Sequence, residues 1–126
     1  MFAQNEVPST DRSTVLTRAL AEAARRLDIG PSDIGKIVGI SQPTASRLLQ
    51  GAYALKESCK EWELSAHLVR LYRSLFSLVG GDDALAKGWL RLANQAFADQ
   101  HPIAVIQRIE GLLHVCEYLD AHRARI

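Results

Sequence analysis

Residues 31–50 read PSDIGKIVGISQPTASRLLQ, and their spacing predicts two short helices that meet at a tight turn. The first runs from Ser32 to Val38, opened by a serine and an aspartate. The second runs from Gln42 to Leu49, with Ser41 as its cap, Pro43 in its first turn and Gly51 as its stop. Gly39 permits the positive φ that a sharp bend needs, and Gly35 is small where the second helix is expected to pass closest. Ile34, Val38, Ile40, Ala45 and Leu48 then fill the wedge between the two. The second helix keeps Gln42, Thr44, Ser46 and Arg47 as a polar face, without the intrahelical ion pairs that a merely solvated helix favours.

Outward from this stretch, every segment that folds reads as helix. Upstream, Val15, Leu16, Ala19, Leu20, Ala23, Ala24 and Leu27 recur at three- and four-residue steps and form one apolar stripe. Asp11 or Ser13 is the expected cap of that helix, and Asp28, Gly30 and Pro31 end it. Met1 to Ser9 has no repeating apolar face and reads as a flexible arm. Downstream, Trp62, Leu64, Leu68, Leu71, Tyr72, Leu75, Phe76 and Val79 mark the longest helix, which Gly80 and Gly81 terminate. Asp82 caps a further helix bearing Leu85, Trp89 and Leu92. Asn94 to His101 reads as an ordered turn, and Pro102 opens a short helix. The run Ile103 to Leu119 is too apolar to be a solvated surface. No segment alternates apolar and polar residues as a strand would, so the chain is expected to be all-α.

The chain has 126 residues, 48% apolar and 23% charged, enough for one or two small units sharing a core. Fifteen Lys plus Arg against fourteen Asp plus Glu leave a net charge of +1, so charge alone nominates no partner. No apolar run approaches the roughly 18 residues that cross a bilayer, and the amino terminus lacks a signal pattern. A cytoplasmic protein without a membrane partner is expected. Cys59 and Cys116 share no metal-type spacing and read as reduced thiols. The histidines are scattered, and His114 and Cys116 point to different faces of a helix, so neither a metal nor another cofactor is expected. No nucleophile constellation or phosphate loop appears, and the reading is of a protein that is not an enzyme.

The crossing of residues 31–50 matches helix-turn-helix spacing. Ile40-Ser41-Gln42, followed by Pro43, Thr44, Ser46 and then Gln50-Gly51, resembles the phage-repressor, or Xre-like, branch of that class. The resemblance implies that the second helix reads DNA: Gln42 and Thr44 at base edges near its start, Arg47 one turn on, and Ser41 and Ser46 at phosphate or base. The grip on phosphate is modest, because residues 1–51 carry Arg12, Arg18, Arg25, Arg26, Lys36 and Arg47 against Glu6, Asp11, Glu22, Asp28 and Asp33. Specific binding is therefore expected to need two or more copies on a repeated or palindromic operator.

Farther on, Trp89-Leu90, Asn94, Ala96-Phe97, Pro102-Ile103 and Glu110-Gly111 follow an order and spacing similar to the toxin-binding domain of the Xre/ParS/MbcA antitoxin family. Both resemblances together cover about Val15 to Leu119. With the arm read above, the expected division is a flexible arm (1–12), a helix-turn-helix unit (13–58) and a helical dimerisation and toxin-binding domain (59–126). The implied partners are operator DNA and a co-encoded RES-type toxin that resembles ADP-ribosyltransferases and uses NAD. A homodimer is expected on separate grounds: the run Ile103 to Leu119 and the helix from Trp62 to Val79 offer more apolar surface than so small a chain easily encloses. Trp89, Asn94, Phe97, Asp120, His122, Arg123, Arg125 and Ile126 are the implied toxin contacts. Past the last apolar turn, the residues from Asp120 read as a polar, mobile end suited to entering a dinucleotide cleft, or else as a helix end frayed into solvent. Trp89 and Phe97 equally suit a core, and Asn94 and His101 suit an ordered turn. Many relatives have a glycine-rich turn before the proline, where this chain has Phe97-Ala98-Asp99-Gln100-His101. A stand-alone regulator, whose later helices dimerise or bind an effector, is the alternative function.

Overall fold

A computed structural model describes residues 9–124, with side chains described from Arg12 onward. Its elements are α1 (Ser9–Leu27), α2 (Pro31–Val38), α3 (Gln42–Leu49), α4 (Lys60–Leu78), α5 (Asp83–Leu90), a 3-10 turn (Gln95–Phe97), α6 (Pro102–Val105) and α7 (Ile109–Arg123). Among the described residues there is no strand, only an isolated bridge between Asn94 and Gln100. The fold is all-α, with a helix-turn-helix unit leading into a second helical unit.

The long helix α4 organises the rest. Its apolar faces contact α1 and α2 on one side and α7 on the other, and Leu68, Leu71 and Leu75 are fully buried between them. Leu20, Leu27, Ile34, Leu48, Leu112 and Leu119 close the same core, each worth about 1.5–3 kcal/mol for leaving water. α4 and α7 run parallel: Cys116 Sγ donates to the His67 carbonyl at 3.4 Å, and farther along both helices Ser74 Oγ donates to Asp120 at 2.7 Å. Most of the apolar surface of α4 and of residues 103–119 is thus buried within one chain. Ile109 and Leu113 stay exposed, which corrects the expectation that this whole run packs away.

α1 starts at Ser9, so Asp11 and Ser13 lie inside the helix rather than capping it. The first turns lack an apolar stripe, and a remote contact helps hold them: Arg12 pairs with Glu57, beyond α3, at 2.8 Å. Residues Ser9 to Arg12, read from sequence as part of the arm, are therefore helical. Met1 to Pro8 fall outside the described residues.

The far end of α1 is closed by the second half of the chain. Arg91, just past α5, donates to the carbonyls of Leu27 (3.0 Å) and Asp28 (2.7 Å), occupying acceptors that a helix end leaves open. Arg26 also meets Asp83 at 3.3 Å, and Gln107 donates to Asp33 at 3.1 Å. The two halves share tethers as well as a core.

Candidate functional site

The turn between α2 and α3 is shaped by two glycines. Gly39 sits at φ 80°, which allows the chain to reverse without the penalty a side chain would meet. Gly35 works differently from the sequence expectation. A Cβ there would lie 2.7 Å from the Ile40 carbonyl oxygen and close to the backbone of Ser41 and Gln42. The turn itself and the first residue of α3, not the body of that helix, press on Gly35.

α3 is seated by Ala45 and Leu48, which are buried, and its opposite edge is free. Ser41 caps it: the Thr44 backbone N–H donates to Ser41 Oγ at 3.2 Å, and the Ser41 hydroxyl donates to Thr44 Oγ1 at 2.8 Å. Arg47 donates to the same Thr44 oxygen at 3.1 Å. Ser41, Thr44 and Arg47 therefore form one hydrogen-bonded line along the helix start. Gln42 is exposed and Ser46 half-buried on the neighbouring edge. The Arg47 guanidinium, with paired donors, and the Gln42 amide, with a donor and an acceptor, are groups of the kind that pair with base edges in a major groove.

The segment after α3 is locked to the core rather than loose. Leu55 is buried and its N–H donates to Thr17 Oγ1 at 2.9 Å. Tyr53 donates to Glu61 at 2.6 Å, and the Lys56 N–H donates to the same carboxylate oxygen at 2.9 Å. Burial, followed by the adjacent carboxylate, pushes the Tyr53 phenol up to about 12. This frame fixes where α3 ends and so how it is presented.

In the second half, Asp82 caps α5 through the Ala84 and Leu85 N–H groups, at 2.9 and 3.2 Å. Asn94 caps the 3-10 turn at Ala96 N–H, 2.9 Å; it orders the turn. His101 stands at the start of α6 without a side-chain capping bond. Phe97 is buried, edge-on to Trp89 (ring centroids 6.1 Å apart), Tyr118 (5.1 Å) and His114 (5.2 Å). Trp89 is half-buried and stacks toward Tyr118, whose ring lies 4.1 Å from that of His122. Of the aromatic pair read from sequence, Trp89 offers an open edge and Phe97 supports it from beneath. Leu85, one turn before Trp89 on α5, is 57% exposed, and Leu92 is 66% exposed. Periodicity assigned both to the helix stripe without showing that α5 ends at Leu90.

The carboxy-terminal end departs from expectation. Asp120, His122 and Arg123 belong to α7, and each is bonded within the fold rather than free at its end. Asp120 accepts from Ser74 and from Arg70, and Arg123 donates to Ser74 Oγ at 3.3 Å. The Ser74 hydroxyl and the Arg70 guanidinium hold the Asp120 carboxyl below the usual carboxylate range, against desolvation. The His122 ring bonds back to the Tyr118 carbonyl at 2.9 Å. Sequence spacing missed this because the partners lie on α4, about 50 residues earlier. Arg125 and Ile126 fall outside the described residues.

Neither cysteine sits in a disulfide, and no cluster of His, Cys, Asp or Glu among the described residues is arranged to hold a metal. Burial pushes the Cys116 thiol up to about 11, whereas Cys59 is exposed. No helix among the described residues is long and apolar enough to cross a membrane.

Family models match both halves of the chain. Residues 6–70 match the antitoxin Xre-like helix-turn-helix domain. Residues 74–125 match the antitoxin Xre/MbcA/ParS C-terminal toxin-binding domain. The chain belongs to the Xre/MbcA/ParS antitoxin family. No curated protein matches it. In this antitoxin the two matches meet within α4, the helix that joins the α3 edge to the α5–α7 face.

Proposed function

We propose that this antitoxin represses its own operon by laying α3 in the major groove of operator DNA, and neutralises a co-encoded RES-type toxin through its second half. The toxin is of the ADP-ribosyltransferase-like, NAD-using kind, and the antitoxin obstructs its nucleotide pocket without doing chemistry itself. Gln42, Thr44 and Arg47 read bases, while Ser41 and Ser46 support them at the backbone. The toxin meets the Trp89 edge with its exposed neighbours Leu85 and Leu92, and residues after Arg123, including Arg125 and Ile126, enter the pocket. The observation that carries this reading is the join of an exposed polar recognition edge to a separate toxin-binding half in one fold.

Two copies act together on a palindromic operator, because one unit neutralises too few phosphates to hold DNA at physiological salt. Co-expression with the adjacent gene tests the toxin half. Relief of growth arrest and co-purification of a complex are the expected outcome, with both weakened by Trp89→Ala and by removal of residues 124–126. A neighbouring product that is harmless alone, or that neither variant affects, overturns it.

A further inference from the structure

The exposed ridge of α4 lies between two features of opposite chemistry. On one side α1 and α4 enclose an apolar groove of about 460 Å³, floored by Val15, Leu16, Trp62 and Val69 and rimmed by Arg70 and Arg73. Val15 is 67% exposed there. Arg73 makes no ion pair among the described residues. On the other side runs a stripe of α7. Leu113, Glu117 and Asp120 fall at i, i+4 and i+7 and share a face, and Asp120 fixes that face against the ridge through Arg70. Leu113 is exposed, and Glu117 is exposed and likewise unpaired among the described residues.

We infer that this face pairs two copies of the chain, the Leu113–Glu117 stripe of each seating in the α1–α4 groove of the other, with Glu117 meeting the partner's Arg73. An apolar groove with an unpaired base at its rim and an exposed leucine one turn before an unpaired acid complement each other in both terms. They flank one ridge, so a two-fold axis through that ridge satisfies both contacts at once and closes the assembly at two copies. α1 belongs to the DNA-reading unit, so this pairing holds two α3 helices in fixed relation. It leaves the Leu85–Trp89 edge of α5 open for the toxin. That two copies act together is part of the functional reading above; the face that joins them is inferred from the groove and stripe alone.

Sedimentation of the full chain, without DNA or toxin, tests it. The wild type sediments as a dimer. Arg73→Glu and Glu117→Arg each weaken the dimer at least about tenfold, and the two reversals combined restore most of the loss. Val15→Glu, at a position open to solvent in the single chain, dissociates the dimer while leaving the helical signal unchanged, and its Tm no longer rises with protein concentration. A monomeric wild type, a higher assembly, or a double reversal weaker than either single one overturns the inference. A dimer indifferent to all three changes overturns the face while leaving the operator reading intact.

Discussion

The start of α3 and the end of α7 are both polar helix ends, but they are organised in opposite ways. In α3 the polar side chains bond within one turn, Ser41 to Thr44 and Arg47 to Thr44, and nothing else claims them. In α7 the corresponding groups reach across to another helix: Asp120 to Ser74 and Arg70, Arg123 to Ser74. The first arrangement leaves donors available to an incoming surface. The second spends them on holding the fold. On the proposed function, the α3 terminus serves as a reading surface because its bonds are local and replaceable.

Each helix also rests on a glycine pressed by a neighbouring backbone, Gly35 beneath Ile40 and Gly111 beneath Val105. The Val105 carbonyl leaves no room for a Cβ on Gly111. Gly111→Ala should therefore cost about 3 kcal/mol in a urea unfolding series, the largest change expected here, by displacing α7 from α6. Retention of wild-type stability would mean that α7 is not seated where described.

Arg47→Ala sharpens the contrast from the other side. Operator affinity should fall about 10- to 100-fold in a retardation assay, while the unfolding midpoint stays put, because Arg47 bonds only to a neighbouring exposed turn. Asp120→Asn should do the reverse, removing about 1 kcal/mol of stability after allowance for its partial exposure and leaving operator affinity unchanged. Its pH dependence has a definite sign. The folded state lowers the Asp120 pKa, so its contribution is complete above the unfolded value near pH 4 and is lost as pH falls through the lowered one. The stability gap between wild type and Asp120→Asn should accordingly close under acid.

The smallest effect concerns the turn before Pro102. Ala98 and Asp99 both adopt positive φ, 56° and 61°, a conformation costly for residues with a Cβ. Ala98→Gly should raise stability by about 1 kcal/mol or less, the relief being partly offset by the freedom of glycine in the unfolded chain. Thermal unfolding reads this directly.

What the sequence made legible follows the same division. The Ser41 cap, the Gly39 bend, the burial of Ala45 and Leu48 and the Asp82 cap all depend on residues within a few positions, and periodicity reported them. The apolar faces of α4 and α7 were legible too, since burial repeats along a helix. Arg91 closing α1 across 64 residues and Ser74 anchoring Asp120 across 46 were not. Single polar contacts between remote elements leave no periodic trace. The same holds for the early start of α1, where Arg12 and Glu57 meet across 45 residues. The left-handed residues 98 and 99 were hidden because no glycine marks them.

The division of the antitoxin into two independent faces is tested most directly by one paired binding measurement. Wild type, Arg47→Ala and Trp89→Ala are each titrated against operator DNA and against the product of the adjacent gene. Arg47→Ala should lose DNA and keep the toxin, and Trp89→Ala should keep DNA and lose the toxin. Loss of both ligands by either variant, or of neither by both, would contradict the account.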